Sequence, residues 1–379
     1  MKIEVKDRRV SAIILCLLVA VSIWFLSSQF KIMWAEEPIY PGEGVTEIKM
    51  LSEYYEGLKG TPGDTEVYIL RGNKPGGSML VLGGTHPNEP SGFVSAVLLI
   101  ENAIPWEGTL YIIPRTNNSA FTHNDPQEGA PMKFTIDTPN GERWFRFGSR
   151  ATNPIHQWPD PEIYVHKSSG QKLSGSETRN INRSYPGRID GTLTEKVSYA
   201  ITEMIRKERI DVSVDLHEAS PEYPTINAVV AHENAMPLAS QALINMQLDG
   251  MNISLETSPP NLRGLTHREL GDHTGTLALL FETANPSQGR IRGKTDENLI
   301  VSGQDKFYNR AAKYGRLYVN FDEKGHPLVE RVARHVTAVK QVISAYSDQN
   351  PEKPLEIESI PNYEDILESG IGVYLIPKR

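Results

Sequence analysis

The sequence predicts an α/β fold in which a mixed, twisted β-sheet is flanked by helices and preceded by an N-terminal membrane segment. An apolar stretch at 78–83, a helical stretch at 90–102 and a second apolar stretch at 109–114 follow one another within about forty residues. This strand–helix–strand order is typical of parallel strands joined by a crossover helix. The helix begins with a proline, which the first helical turn tolerates.

The same periodicities predict the remaining elements. Short runs rich in apolar and β-branched residues indicate strands, and longer amphipathic runs indicate helices. Strands are expected at 65–71, 211–217, 228–232 and 276–282, with a possible last strand at 373–376. Helices are expected at 194–208, 236–251, 297–318 and 327–346.

The segment 116–192 interrupts this alternation. It is rich in Asn, Pro, Gly, Ser and aromatic residues and shows no clear periodic element. So long a stretch inside one domain is usually functional or partly disordered. We expect it to form loops over a site and to determine which substrate is bound there.

The N-terminal segment 1–30 is typical of a membrane anchor or a signal segment. Basic residues precede an uncharged apolar run of seventeen residues at 10–26, the lower limit for crossing a bilayer. No clean cleavage site follows, which favours an uncleaved anchor with the basic residues on the cytoplasmic side. We therefore expect a membrane-anchored chain with its domain outside the cytoplasm, or a secreted domain if the segment is cleaved.

Length and charge set the remaining limits. With 379 residues, the chain can hold a stalk at 31–50, one catalytic domain at 51–350 and a C-terminal tail at 351–379. The net charge is −8, and the first thirty residues are themselves basic, so the rest of the chain is more acidic still. This balance argues against a nucleic-acid partner. Cys16, in the apolar run, is the only cysteine, so the folded part has no disulfide.

Three predicted strand ends carry groups that could hold a metal or move a proton. His86 and Glu89 follow the strand 78–83, His217 ends the strand 211–217, and Glu282 ends the strand 276–282. Ligand sites in open α/β sheets form outside the carboxyl ends of strands. Two imidazoles and one carboxylate, with a fourth position left to water, make a catalytic zinc site, whereas calcium and magnesium prefer oxygen ligands.

A weaker interpretation has to be weighed, because an isolated His–x–x–Glu pair is common by chance among ten histidines. The glycine turn before His86 and the matching strand-end position of His217 favour the metal site. His267 and His273 could also line it. Five further histidines fall in loops or on helix faces and are assigned surface or structural roles: His123, His156, His166, His326 and His335.

Four motifs together resemble those of the zinc carboxypeptidases, and most closely the succinylglutamate desuccinylase/aspartoacylase branch. They read GGTHPNEPSG, NINRSYPG, DLHEA and LLFETANP, and they fall between about residues 78 and 290. The sequence departs from that branch at Pro87, where glycine is usual, and at Asn180, where an acidic residue is usual. Neither position is a ligand, and the departures leave the exact substrate open.

The resemblance implies a role for each matching residue. His86, Glu89 and His217 would hold one Zn²⁺ per chain, which activates water and polarises the scissile carbonyl. Glu282 would be the general base, and Asn182 and Arg183 would bind a substrate carboxylate. For stabilising the oxyanion, Arg179 and Arg115 compete. Asp215 could support His217 or be purely structural.

The expected function is hydrolysis of an amide bond next to a free carboxylate, outside the cytoplasm. A metallocarboxypeptidase acting on peptides is favoured, because the catabolism of small acylated amino acids normally takes place in the cytosol. The alternatives are an N-acyl-amino-acid deacylase and a non-catalytic relative that binds peptides or carboxylates. A two-metal aminopeptidase is a third, for which the sequence offers no convincing second cluster.

Overall fold

The computed structural model describes residues 8–125 and 128–375. Its strands, in chain order, are β1 Glu47–Met50, β2 Glu66–Arg71, β3 Lys74–Leu82, β4 Ile104–Ile113, β5 Lys133–Thr138, β6 Gly141–Arg146, β7 Ile163–Val165, β8 Lys172–Ser174, β9 Val212–Ala219, β10 Ala228–Ala231, β11 Ser254–Thr257, β12 Leu277–Ala284 and β13 Glu356–Glu358. Its helices are α1 Arg8–Trp34, α2 Pro90–Asn102, α3 Leu193–Glu208, α4 Met236–Leu248, α5 Thr266–Thr274, α6 Glu297–Ser302, α7 Lys306–Lys313, α8 Leu328–Gln349 and α9 Tyr363–Ser369.

One large mixed sheet organises the domain. Within the described residues it has nine strands in the order β1-β2-β4-β3-β9-β12-β10-β11, with β13 paired to β4. Strands β4, β3, β9 and β12 run parallel, while β2 and β13 pair antiparallel to β4, and β10 pairs antiparallel to β12. The predicted mixed sheet is therefore confirmed, and its parallel centre brings the ends of β3, β9 and β12 to one edge.

The two faces of the sheet are buried by different helices, because alternate residues of a strand point to opposite sides. Val81 and Leu216 belong to a core that includes side chains of α2, α4 and α8. Leu80 and Leu82 belong to a second core with α3 and α5. His217 and Asp215, at the positions alternating with Leu216, therefore lie on the α3 and α5 side of the sheet.

Helix α1 is long and apolar enough to cross a membrane. It has 27 residues, a mean hydropathy of 2.6 in its most apolar window, and none of that window is buried against the domain. A signal sequence near the N-terminus has the same properties, so anchor and signal segment both stay open. Near its end, Met33 is buried in the domain at 2% exposure.

Residues assigned to the stalk and tail pack against the sheet. Glu37 is buried between Arg115 and Arg146, and β1 pairs with β2. Near the other end of the chain, β13 pairs with β4, and Ile366 of α9 lies in the core.

The structure differs from the expected elements in three places. The predicted helix 297–318 is two short helices, because Gly303 adopts a φ of +65° that ends α6, and the Asp305 carboxylate caps the start of α7. The possible strand at 373–376 is a 3₁₀ helix over Ile371–Tyr374, and Ile376 lies outside the described residues. The segment 116–192 is not structureless, since it holds the hairpins β5–β6 and β7–β8.

Candidate metal centre

A tight turn after β3 presents His86 and Glu89. Gly84 adopts a φ of +62°, a region that favours glycine, and a Cβ there would lie 2.6 Å from the Pro114 carbonyl oxygen. The turn is fixed to the end of β4 by hydrogen bonds from Thr116 N to Gly83 O and from Asn117 N to Gly84 O. The next residues start α2, so His86 and Glu89 lie between a buried strand and a buried helix.

Adjacent strands present His217 and Glu282. These two residues are register partners in the parallel pair β9–β12, so their side chains leave the sheet side by side. Helix α2 packs closely over β9, and a Cβ on Gly92 would lie 2.4 Å from the Leu216 carbonyl oxygen. This close approach brings the start of α2, with Glu89, against the strand that carries His217.

The three predicted ligands converge. Glu89 Oε1 lies 2.9 Å from His86 Nδ1, and Glu89 Oε2 lies 2.9 Å from His217 Nδ1. All the candidate ligand atoms fall within 4.8 Å of one another, and all three residues are buried. Among the described residues, this is the group of three or more His, Cys, Asp or Glu side chains that could share one metal ion.

Contacts at the other ring nitrogen orient His86. Its Nε2 lies 2.9 Å from Asn180 Oδ1, which also accepts from the backbone N–H of Asn182, while Asn180 Nδ2 donates to Glu177. A backbone N–H can only donate and a carboxylate only accepts, so these contacts fix the Asn180 amide with its oxygen towards His86. His86 Nε2 must then carry a proton, so Nδ1, which faces Glu89, is the ring nitrogen that would bind a metal.

His217 is oriented in the same way by a carboxylate. Asp215 Oδ2 lies 2.9 Å from His217 Nε2, and Asp215 Oδ1 accepts from the Thr85 hydroxyl at 2.7 Å. The imidazole therefore donates from Nε2 to Asp215, and its Nδ1 atom, which faces Glu89, is the one that would bind a metal. Of the two roles considered for Asp215, support of His217 fits these contacts, and the carboxylate–histidine arrangement is common behind metal-ligating imidazoles.

The donor set fits a zinc ion. Two imidazole nitrogens and a carboxylate are the ligands that catalytic zinc sites use, whereas calcium and magnesium prefer all-oxygen sites. In this structure Glu89 bonds both Nδ1 atoms, each at 2.9 Å, and Glu89 is further held by the Glu218 backbone N–H at 3.0 Å. A bound metal would take the place of the two Glu89–Nδ1 hydrogen bonds, and the donor set fits a metal of this class.

Burial and charge shift the titrations around the cluster. Burial, with the Arg150 charge, lowers the pKa of His86 to about 4. Burial alone would also lower the pKa of His217, but the carboxylates of Asp215 and Glu89 raise it above its usual range. For Glu89, burial is outweighed by the two histidines, which hold its pKa well below the ordinary value.

Glu282 is a buried carboxyl group beside the cluster. Its Oε2 has no hydrogen-bond partner among the described residues. Burial, with a smaller contribution from the Glu89 charge, raises the pKa of Glu282 to about 8, against the opposing charges of His217 and Arg150. A buried carboxyl oxygen without a partner, beside candidate ligands, makes Glu282 a candidate for proton transfer.

Of the predicted substrate-binding residues, Arg183 and Asn182 are those that the structure leaves available to a substrate. Arg183 lies close enough to Arg150 and Glu282 for their charges to affect its pKa, which burial lowers. The amide oxygen of Asn182 accepts a hydrogen bond from the backbone N–H of Thr266 at 2.8 Å. The amide nitrogen of Asn182 is therefore the candidate donor to a substrate.

The two arginines considered for the oxyanion are bonded to other groups. The guanidinium of Arg179 binds both carboxylate oxygens of Asp160, at 2.8 and 3.0 Å, and the Thr152 carbonyl. Arg115 is buried against Glu37. Neither guanidinium is therefore assigned to the substrate.

Arg150 is a residue of the site that the sequence did not indicate. Its Nη1 donates to Glu89 Oε1 at 3.0 Å, and about two-fifths of its side chain is exposed (41%). It lies in the loop after β6, in no recognisable motif, so no spacing or periodicity marks it. The hydrogen bond from Gly148 N to Pro87 O joins this segment to the His86 turn and helps to bring Arg150 to the cluster.

Histidines outside the cluster fall into two groups. His267 and His335 are buried, and neither ring nitrogen of His267 has a hydrogen-bond partner among the described residues. The charges of Asp215 and His217 act on His267, so it lies near the site, and burial lowers its pKa to about 3. His273 is half-exposed and pairs with Glu269 instead.

Comparisons with known proteins give likeness of fold only. No family model matches the chain, and no curated protein matches it. Similar solved structures include a succinylglutamate desuccinylase from Silicibacter sp. TM1040, at 18% identity and a TM-score of 0.38 over 60% of this chain and 55% of that one. They also include a metallo-carboxypeptidase from Burkholderia cenocepacia, at 11% identity and a TM-score of 0.43 over 79% and 68%.

A third similar structure is the apo Cell Shape Determinant protein Csd4 from Helicobacter pylori, at 12% identity and a TM-score of 0.45 over 80% of this chain and 59% of that one. The chain thus spans little more than half the length of the desuccinylase and of Csd4. The similar structures include members of both groups that the sequence motifs resemble, and the chemistry assigned below rests on the residues of this chain.

Proposed function

We propose that the chain is an extracytoplasmic zinc-dependent hydrolase that cleaves an amide bond next to a free carboxylate, as a metallocarboxypeptidase acting on peptides. The observation that carries the proposal is the convergence of the candidate ligand atoms of His86, Glu89 and His217 within 4.8 Å, beside the Glu282 carboxyl oxygen Oε2, which has no partner among the described residues. When bound, zinc supplies Lewis-acid chemistry: it polarises a carbonyl and makes water acidic.

In this proposal Glu282 moves the proton. As a carboxylate it accepts a proton from the attacking water, and it then delivers that proton to the leaving nitrogen as the amide bond breaks. A general base works best when its pKa lies near the operating pH. Burial raises the pKa of Glu282 in that direction, and the charge of a bound cation would offset part of the rise.

Two arginines give the site its preference for negative charge. Arg183, with the Asn182 amide nitrogen, is assigned to the substrate carboxylate, because a guanidinium matches a carboxylate in two parallel hydrogen bonds. Arg150, which contacts Glu89 directly, is assigned to the charge that develops on the carbonyl oxygen. The single cluster among the described residues favours one metal over a two-metal aminopeptidase.

The proposal is tested with the full chain in detergent and a panel of substrates. Peptides with free C-termini, the same peptides amidated at the C-terminus, and N-acyl amino acids are incubated with and without a chelator. We expect cleavage of the free-carboxylate peptides, little cleavage of the amidated ones, and loss of turnover on chelation that zinc restores. Cleavage of N-acyl amino acids alone would instead assign the deacylase function.

The variant Glu282→Gln separates binding from catalysis. It should keep its zinc and lose about 10²–10⁴-fold in turnover, the range for removing a general base. Glu256→Gln is the matched control, because Glu256 lies on β11 and accepts a hydrogen bond from Thr225 away from the cluster. Unchanged turnover in Glu282→Gln would remove the assigned base. Zinc binding without turnover of any substrate, by the unmodified chain, would favour a non-catalytic binding protein.

A further inference from the structure

The junction between α1 and the domain lies at the same edge of the sheet as the candidate metal centre. The end of α1 contacts the 3₁₀ helix Asn118–Thr122, which follows the carboxyl end of β4. That helix is joined to the His86 turn through the hydrogen bond from Asn117 N to Gly84 O. Whatever surface α1 is embedded in therefore lies next to this edge.

The junction allows little freedom between helix and domain. Helix α1 ends at Trp34, and Glu37 is already buried, with its two carboxylate oxygens 2.7 Å from Arg115 Nε and Arg146 Nε. The helix is about 40 Å long at 1.5 Å per residue, enough for a hydrocarbon core of about 30 Å. Trp34 is 54% exposed at its end, where aromatic side chains anchor spanning helices in the headgroup region.

The loop of residues 153–159, beside this junction, carries two exposed apolar side chains. Ile155 and Trp158 are 78% and 74% exposed. The loop is attached to the 3₁₀ helix that α1 contacts, because Ser119 Oγ accepts from Asn153 N and bonds His156 Nδ1 at 2.8 Å.

The loop is also free of net charge. No Lys, Arg, Asp or Glu occurs in residues 153–159, and the next acid, Asp160, is neutralised by the paired contacts with Arg179. Exposed tryptophan and isoleucine without a charge suit the boundary between headgroups and acyl chains.

We propose that Ile155 and Trp158 insert into the lipid surface that α1 crosses, so that the domain is docked with its metal-centre edge facing the membrane. The helix and this loop are two attachment points on one side of the domain, which together fix its orientation. Substrates would then be met close to the membrane surface. The proposal rests on α1 remaining in the chain as a span, and it is independent of the hydrolase activity.

The test uses the full chain with Cys16→Ser, since Cys16 is the only cysteine. Single cysteines are introduced as Trp158→Cys, Ile155→Cys and, as the matched control, Trp106→Cys. Trp106 is also an exposed aromatic residue (47%), but it lies near the start of β4, at the opposite edge of the sheet. Each protein is labelled with an environment-sensitive fluorophore and reconstituted into liposomes that carry doxyl quenchers near the headgroups.

We expect a blue shift and lipid-dependent quenching for the probes at 155 and 158, and neither for the probe at 106. Equal, unquenched spectra at all three positions would overturn the proposal. So would a probe at 158 that responds only when peptide is added, because the loop would then be a surface for protein or substrate. Failure of the chain to stay with liposomes would overturn it too, while leaving the hydrolase assays unaffected.

Discussion

The two candidate histidine ligands are supported by different groups. His217 is backed by the carboxylate of Asp215, whereas His86 is backed by the neutral amide of Asn180, whose charge partner Glu177 lies one contact further out. Both arrangements place a proton on Nε2 and leave Nδ1, which faces Glu89, as the nitrogen that would bind a metal. The carboxylate makes its imidazole the more basic ligand, so His86 depends on Asn180 mainly for orientation.

Replacing Asn180 tests this dependence. Asn180→Ala should weaken zinc binding about 10–100-fold, because the His86 ring loses the contact that sets its orientation and tautomer. The double variant Asn180→Asp with Glu177→Gln should bind at least as tightly as the unmodified chain, since it keeps the contact and avoids two adjacent carboxylates. Competition with a chromogenic chelator measures the affinity, and wild-type affinity in Asn180→Ala would contradict the assignment.

Which site residues the sequence could predict follows from where they lie. His86, Glu89, His217 and Glu282 stand at strand ends, where the pattern of a strand fixes their position at the sheet edge. Arg150 stands in a long loop, and only the tertiary contacts of that loop bring it to Glu89. Likewise, nothing in the sequence indicated that Arg179 is bonded to Asp160.

At the scale of elements, the site depends on how closely α2 approaches β9. Gly92 makes that approach possible, because any side chain there would collide with the Leu216 carbonyl, next to His217. The βαβ unit around it was predictable from apolar periodicity. The division of 297–318 was not, since amphipathic periodicity continues through Gly303 and only its positive φ ends the first helix.

A single methyl group at this contact should disturb both stability and the metal site. Gly92→Ala is expected to cost about 1–3 kcal/mol of unfolding free energy by overpacking, and to weaken zinc binding by moving Glu89 away from His217. Ser95→Ala is the control in the same helix, because its buried hydroxyl has no partner among the described residues. Denaturant unfolding and chelator competition measure both effects; equal behaviour of the two variants would contradict the close-contact argument.

At the scale of the whole molecule, Glu37 attaches the segment between α1 and β1 to the domain. Its carboxylate lies between two buried guanidinium groups, and although burial opposes ionisation, Arg146 and Arg115 lower the pKa of Glu37 below its ordinary value. The sequence alone suggested a loose stalk here, because the prolines of 38–41 read as extended chain. The arginines that hold Glu37 are 78 and 109 residues away in the chain, beyond any local pattern.

Removing that charge should loosen the domain. Glu37→Gln is expected to destabilise the full chain in detergent by about 3–5 kcal/mol, because it leaves two buried arginines without their counter-charge. Glu36→Gln is the neighbouring control, since the Glu36 carboxylate is 57% exposed and lies 3.6 Å from Arg115; it should change stability by less than about 0.5 kcal/mol. Thermal unfolding compares them, and similar melting temperatures would argue against a buried clamp.

The most direct test of the account is anomalous diffraction at the zinc edge, on crystals of the full chain grown with zinc. The account predicts one anomalous peak per chain, about 2.0–2.1 Å from the Nδ1 atoms of His86 and His217 and about 2.0–2.2 Å from a carboxylate oxygen of Glu89. An absent peak, a peak held by other residues, or a pair of metal ions at this edge would contradict it.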